Sequence, residues 1–142
     1  MIDLSAIFRI VIGLTIFINI TMFQIFTAYG LVCNFTSGNV NTFENKIFQK
    51  LSAKPFSFEI GEIDLSNQTA SVLTSNGKGS LKIVRAIGAN HYLEVITEGY
   101  LNITTIYNTR TLDGSLLAAH SRHTGLLGTP IISQYYGKCS VR

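Results

Sequence analysis

The sequence predicts a small all-β protein, an up-and-down antiparallel barrel of about seven to nine strands preceded by a hydrophobic signal helix. Its 142 residues have the length of one domain. Beyond the first thirty residues, short segments of alternating apolar and polar residues are separated by turn signals, which is typical of a barrel or a sandwich. The two cysteines, Cys33 and Cys139, stand at the two ends of this alternating region.

The first thirty residues have the three-part pattern of a secretory signal. An uncharged, mostly apolar run extends from Ile10 to Phe26, after a short segment whose charged side chains are Asp3 and Arg9. Ala28 and Gly30 place small residues at the −3 and −1 positions of a signal-peptidase site. We therefore expect export and cleavage after Gly30.

An uncleaved membrane anchor is the alternative for this segment. A transmembrane helix needs about 20 apolar residues, and the run lies at the lower end of the accepted range. It also carries Asn19 and Gln24, whose polar groups cost free energy in hydrocarbon. The favoured division is a signal peptide over residues 1–30 and one β domain over residues 31–142. The membrane is then contacted only through the N-terminal segment, if that segment stays uncleaved.

The cysteines predict a disulfide and an oxidising compartment. A reducing compartment would give no reason to place Cys33 and Cys139 at opposite ends of the domain, whereas an oxidising one would join them. Closing a loop of about 100 residues stabilises a fold by roughly 4.7 kcal/mol in the chain-entropy treatment. Two free thiols remain the alternative, and a metal site would need further ligands close to either cysteine. The expected location is periplasmic or secreted.

The charges exclude one class of partner. The chain has 11 Lys and Arg residues against 8 Asp and Glu residues, a net charge of +3. The basic residues are scattered, without the run or stripe that a nucleic-acid-binding protein needs. We expect a solvated surface and no nucleic-acid partner.

The strands follow from alternation and from turn residues. Phe56–Ile60 alternates strictly, and the hairpin dipeptide Asn76-Gly77 separates Thr69–Thr74 from Ser80–Ile87, where Leu81, Ile83 and Ile87 would share one face. Glu44–Ser52 is predicted as either a short helix or another strand. The remaining expected strands are His91–Glu98, Tyr100–Tyr107, Leu116–His123 and Thr129–Tyr136.

Barrel closure follows from the edges of such a meander. An open meander leaves two rows of unpaired backbone groups, and a disulfide between the first and last strands would bring those rows together. A closed barrel removes edges, and a barrel of about eight strands has an interior that side chains fill or that holds one small ligand. A two-sheet sandwich is the alternative fold.

The segment His120-Ser121-Arg122-His123 contains the strongest candidate for a functional cluster. Neighbours on a strand alternate faces, so His120 and Arg122 share one face while Ser121 and His123 share the other. Two histidines three residues apart then point to opposite sides, which disfavours a metal site. The same alternation separates Ser121 from His120, so a nucleophilic serine is disfavoured too. The sequence predicts no catalytic residue, no metal and no cofactor.

Recognition is the milder hypothesis for this segment. The candidate binding residues are His120, Arg122, His123, Tyr135 and Tyr136. Cationic and aromatic groups on neighbouring strands would suit an anionic or sugar-like partner. The structural alternative is that Arg122 pairs with a carboxylate such as Glu94 or Glu98 while the tyrosines pack. A buried Arg122 would need such a partner, since an unpaired buried cation is very costly.

The region from Phe58 to Cys139 resembles a group of short uncharacterised exported proteins of rhizobial-type alphaproteobacteria. The landmarks that carry the resemblance are Phe58-Glu59-Ile60-Gly61-Glu62-Ile63-Asp64, Leu93-Glu94-Val95-Ile96-Thr97-Glu98-Gly99, Thr104-Thr105-Ile106-Tyr107, His120-Ser121-Arg122-His123 and Ser133-Gln134-Tyr135-Tyr136-Gly137-Lys138-Cys139. The resemblance implies a periplasmic or secreted location and no particular activity.

Two classes of function are compatible with these patterns. The first is a non-catalytic exported envelope protein, a small β-barrel module that binds an envelope protein, a polymer or a small ligand. The alternative is a small metal-dependent or hydrolytic enzyme that uses the His120–His123 region. Stoichiometric zinc in the purified protein would favour the second class.

Overall fold

The computed structural model describes residues 29–96, 99–125 and 128–142, so the expected signal helix lies outside the described residues. Within these ranges the chain forms nine β-strands. They are β1 (Leu31–Glu44), β2 (Ile47–Ser52), β3 (Phe56–Asp64), β4 (Thr69–Thr74), β5 (Gly77–Arg85), β6 (Ala89–Val95), β7 (Tyr100–Arg110), β8 (Leu116–Thr124) and β9 (Ile131–Val141). The described part of the chain contains no helix of the length and apolar character needed to cross a membrane.

The strands form one antiparallel sheet that closes on itself. Its order is β2-β1-β3-β4-β5-β6-β7-β8-β9, and β1 also pairs with β9. Eight strands therefore make a closed barrel, to which β2 is added as a ninth strand. The barrel prediction is confirmed over the sandwich, because the β1–β9 pairing joins the two edges that an open meander would leave unpaired.

The ninth strand, β2, is present because β1 is long enough to pair with two different strands along its length. The N-terminal part of β1 pairs with β3, and its C-terminal part pairs with β2. Asn45 and Lys46 both have positive φ, 51° and 64°, and form the two-residue turn that connects β1 to β2. The segment Glu44–Ser52 is thus the end of one strand, a tight turn and a second strand, and the helix alternative is wrong.

A disulfide lies across the seam where the barrel closes. Cys33 on β1 stands directly opposite Cys139 on β9, their Cα atoms are 4.0 Å apart, and both side chains are fully buried. The predicted bond is therefore confirmed. A disulfide of this kind suggests that the domain folds in an oxidising environment, because cytosolic thiols are kept reduced.

The same seam depends on a small residue at Gly137 of β9. A Cβ atom built there would lie 2.0 Å from the carbonyl oxygen of Asn34 on β1, so the two strands meet too closely for any side chain at this position. The β1–β9 register shifts between Phe35 and Ser37, which marks a bulge beside this contact. Strand crowding and the disulfide together determine where the barrel closes.

The two ends of the barrel are different. We call the mouth the end that carries the β4–β5, β6–β7 and β8–β9 connections, and the base the opposite end. Alternation along each strand turns apolar side chains inward and fills the base. The buried inward-facing residues toward the base are Leu31, Cys33, Ile60, Ala70, Leu81, Ile83, Ile106, Ala118 and Cys139.

One residue expected in this core is absent from it. Ile87 was predicted to share a face with Leu81 and Ile83, but β5 ends at Arg85 and Ile87 lies fully exposed in the turn before β6. The alternation holds for Leu81 and Ile83, which are both buried. The strand is two residues shorter at this end than the sequence pattern indicated.

Candidate functional site

A cavity of about 750 Å³ opens at the mouth of the barrel. Small-molecule sites usually have volumes of roughly 300–1,000 Å³. Its walls combine aromatic and apolar side chains with a larger number of polar ones, and the lining includes Phe56, Tyr135, Glu94, Asn102 and Arg122. The cavity is therefore large enough for a small ligand.

Strand register arranges the inner face near the mouth into two rows. Residues directly opposite each other on antiparallel strands share a face, so the pairings of β6 to β9 can be followed across the wall. The row nearer the mouth is Glu94, Asn102, Arg122 and Ser133. The row below it is Tyr92, Thr104, His120 and Tyr135. Both rows carry polar atoms, unlike the base.

His120 is the buried centre of the lower row. Only 4% of its surface is exposed. Its Nδ1 lies 2.8 Å from Oγ1 of Thr104, and its Nε2 accepts a hydrogen bond of 3.1 Å from Nε of Arg122. Since arginine can only donate, Nε2 carries no hydrogen, and Nδ1–H donates to Thr104. The hydrogen bonds thus run from the guanidinium of Arg122 through His120 to Thr104, which register places opposite His120.

The surroundings of His120 keep it neutral. Burial, and after it the positive charge of Arg122, lower the pKa of the imidazole from 6.5 to about 3. The rings of Phe35, Phe56 and Phe58 lie 5.2 to 5.5 Å from the imidazole, centroid to centroid. His120 therefore offers no positive charge near neutral pH, and Arg122 is the cationic member of these two side chains. It serves to hold Arg122.

Arg122 presents its guanidinium to the cavity. The guanidinium carbon lies 4.4 Å from the ring centroid of Phe56 and 5.4 Å from that of Tyr135, distances at which a cation is attracted to an aromatic face. Nε is occupied by His120, while the two terminal amino groups make no hydrogen bond to any described residue. The group is thus fixed in orientation and retains donors for a partner.

The expected carboxylate partner of Arg122 is not found in the described part of the chain. The ion pairs found there are Lys78–Glu62, Lys138–Asp113 and Arg142–Glu59. Glu94, one of the two expected partners, instead accepts a hydrogen bond of 2.9 Å on Oε2 from the side-chain amide of Asn102. Glu98, the other, lies outside the described residues.

Glu94 is held at the mouth by two neighbours. Asn102 binds one carboxylate oxygen from β7, and the other oxygen lies over Gly79 of β5. A Cβ atom on Gly79 would be 2.7 Å from Oε1 of Glu94, so the glycine provides the space that this carboxylate occupies. The cavity thus has an acidic wall as well as the basic group on β8.

The structure separates the five predicted binding residues into two groups. His120, Arg122 and Tyr135 share the inner face and contact one another. His123 and Tyr136 are exposed, on the outer side of the same strands, and do not take part in the cavity. The alternation argument thus places the residues of β8 correctly.

The enzyme alternative would depend on the arrangement of His120, Ser121 and His123. His120 and His123 lie on opposite sides of the sheet, and Ser121 donates a hydrogen bond of 3.0 Å to the side-chain oxygen of Gln134. Among the described residues, no group of three or more His, Cys, Asp or Glu side chains is arranged to hold a metal ion.

Sequence reasoning missed several residues of the cavity. Phe56 and Asn102, which line the cavity, were not recognised, nor was Thr104, which bonds to His120 in the row below; Glu94 was considered as a partner of Arg122. Alternation does place Tyr92 and Glu94 on one face of β6, but register decides which residues of β7 and β8 stand beside them. If the pairing of a strand shifted by one residue, all of its inward-facing side chains would turn to the other face of the sheet.

No protein-family model, curated protein or solved structure matches this chain. The geometry defines a class of protein in structural terms only. It is a disulfide-joined, eight-stranded β-barrel with an additional strand, an apolar base and an aromatic and polar cavity at its mouth.

Proposed function

We propose that this protein is a non-catalytic exported envelope protein whose barrel mouth binds a small ligand through an anionic group of that ligand. The observation that carries the proposal is the state of Arg122. Its guanidinium lines the cavity, is stacked on Phe56 and is oriented by His120, while its terminal amino groups bind no described residue. The shape of the cavity favours a small ligand over a protein surface.

The physical reason lies in the cost of removing a charge from water. A partly buried cation loses hydration, and it is normally compensated by a paired anion or hydrogen-bond acceptors. Guanidinium groups bind carboxylate and phosphate through two parallel hydrogen bonds, which demand a fixed orientation. Arg122 has this orientation before any ligand arrives, because His120 and Phe56 hold it. Less side-chain freedom is then lost on binding.

A periplasmic or secreted location is part of the proposal. The Cys33–Cys139 bond supports it, since such bonds persist outside the reducing cytosol. The apolar run that ends at Phe26, followed by small residues at Ala28 and Gly30, also supports it. A mature protein that begins at Leu31 in the periplasm or medium would agree with the proposal. Full-length protein in the soluble cytoplasm would contradict it.

The binding experiment compares an anion with its neutral analogue. Calorimetric titration of hexanoate and of hexanamide into the protein should show binding of the carboxylate alone. Arg122→Gln should weaken hexanoate binding by about tenfold or more, the effect of one charge-assisted hydrogen bond. Arg85→Gln is the matched control, because Arg85 is exposed near the base. Equal hexanoate affinity in the two variants would remove the proposed site.

A further inference from the structure

We infer that the ligand carries a second, positively charged group, which Glu94 receives while Arg122 receives the anion. This inference rests on the proposed function, because it assigns the other end of the same ligand. The ligand class is then a zwitterion whose ammonium and carboxylate groups are separated by a short apolar linker.

The two charged side chains lie on the same row but are held apart. Glu94 stands opposite Asn102, and Asn102 stands opposite Arg122. Adjacent strands are about 4.8 Å apart, so the backbones that carry Glu94 and Arg122 are separated by roughly 9–10 Å. The amide of Asn102 binds Glu94, and the described ion pairs do not include a Glu94–Arg122 bridge. A ligand can therefore meet both charges without first breaking an ion pair between them.

Each charged group retains unused capacity toward the cavity. An ionised carboxylate can accept about four hydrogen bonds, and Glu94 accepts one from the described side chains, on Oε2. The guanidinium of Arg122 has five N–H donors, and the one on Nε is bound to His120. Lys78, a basic residue that also lines the cavity, is paired with Glu62. The acidic and basic sites are thus both available.

Apolar surface lies close to the two charges. Val72, Phe58 and Tyr100 line the same cavity as Glu94 and Arg122. Such a surface suits methylene groups, whose burial is worth about 0.8 kcal/mol each. The backbones that carry Glu94 and Arg122 are separated by the width of β7, whereas an α-amino acid carries both of its charged groups on one carbon. The structure therefore favours an ω-amino carboxylate of intermediate length over an α-amino acid.

The test uses a series of ligands that differ in one property at a time. Calorimetric titration of the full chain with glycine, 4-aminobutanoate, 6-aminohexanoate and 8-aminooctanoate measures affinity against charge separation. Hexanoate lacks the amine, hexylamine lacks the carboxylate, and N-acetyl-6-aminohexanoate keeps the length but loses the positive charge. We expect the tightest binding at an intermediate length, with 6-aminohexanoate about tenfold tighter than hexanoate or its own N-acetyl derivative.

The variants assign the two ends of the ligand. Glu94→Gln should lower the affinity for 6-aminohexanoate to that for hexanoate and leave hexanoate itself bound as well or better. Glu44→Gln is the matched control, since Glu44 is exposed at the end of β1. The N-acetyl comparison uses the unaltered chain, so the inference stays testable even if Glu94→Gln fails to fold.

The outcomes separate this inference from the proposed function. If hexanoate binds through Arg122 but the amine adds nothing, the zwitterion inference is overturned and the anion site stands. The same conclusion follows if Glu94→Gln keeps the gain from the amine. If no carboxylate in the series binds, or if binding does not depend on Arg122, both proposals are overturned.

Discussion

The base and the mouth of the barrel are built from the same strands with the same alternation, yet their interiors differ. At the base the inward-facing side chains are Cys33, Cys139, Ile60 and Ile83, all fully buried, and the disulfide joins the seam. At the mouth the corresponding inward positions hold ionisable and hydrogen-bonding groups around a cavity. The contrast indicates that the base supplies stability, which offsets the cost of enclosing polar and charged groups at the mouth.

The largest effect should come from the disulfide at the base. Its closed loop spans a sequence separation of 106 residues, for which the chain-entropy treatment gives about 4.7 kcal/mol. Reduction should therefore lower the urea midpoint strongly. The double variant Cys33→Ala/Cys139→Ala is the control. Its urea midpoint should be as low as that of the reduced protein, and adding the reductant should not change it. An unreduced protein whose two thiols both alkylate after unfolding would show that the bond does not form.

The next largest effect on stability is expected from a buried apolar side chain that is not part of the disulfide. Ile60→Ala removes a fully buried side chain from β3 and should cost about 2–5 kcal/mol of unfolding free energy. Leu73→Ala on the neighbouring strand β4 is the matched control. Its side chain is 43% exposed, and we expect a change of about 0.5 kcal/mol or less. Similar losses in the two variants, measured by urea unfolding, would contradict the assignment of the inner face.

These two regions also differ in how far the sequence predicts them. The apolar interior of the base can be predicted from alternation within each strand, from turn dipeptides and from the positions of Cys33 and Cys139. Each of these is either a local pattern or a position at one end of the domain. The mouth depends on register, which no single strand specifies, and so Asn102 could not be placed opposite Arg122, or Thr104 opposite His120, in advance. The neutral state of His120 was missed for the same reason, because its burial depends on neighbours from four other strands.

A pH titration should reveal the polar interior of the mouth. The pKa of His120 is about 3 in the folded chain against 6.5 as the ordinary value, so the unfolded chain binds the proton first as the pH falls. Stability is therefore complete above pH 6.5 and decreases toward pH 3. The loss should be about 1.4 kcal/mol per pH unit within this window. Denaturant midpoints at pH 7.0 and 5.0 measure the effect.

Two variants identify the group responsible for this pH dependence. His120→Gln should flatten the slope between pH 6.5 and 5.0, whereas His123→Gln on the outer face should keep it. Hydrogen bonds from Ser66 and Asn67 hold the pKa of Asp64 below its usual 3.8, and Lys138 does the same for Asp113. These carboxylates lose their contribution only as the pH falls through 3.8 and below, so they do not affect the slope between pH 6.5 and 5.0. A slope that survives His120→Gln would assign the effect elsewhere.

The smallest effect on stability is expected at Arg122, the residue on which the proposed anion site depends. Arg122→Gln removes the stacking on Phe56, worth about 0.5–1 kcal/mol at an exposed site, and it also relieves a partly buried cation. The two terms oppose each other, so the unfolding free energy at pH 7 should change by about 1 kcal/mol or less.

Loss of the nearby positive charge should also raise the folded pKa of His120, while burial still keeps it below 6.5. The acid-induced loss of stability should then be smaller than in the unaltered protein. A variant that is much less stable at pH 7, yet binds hexanoate normally when folded, would make Arg122 a structural residue and would end the distinction between the two halves of the barrel.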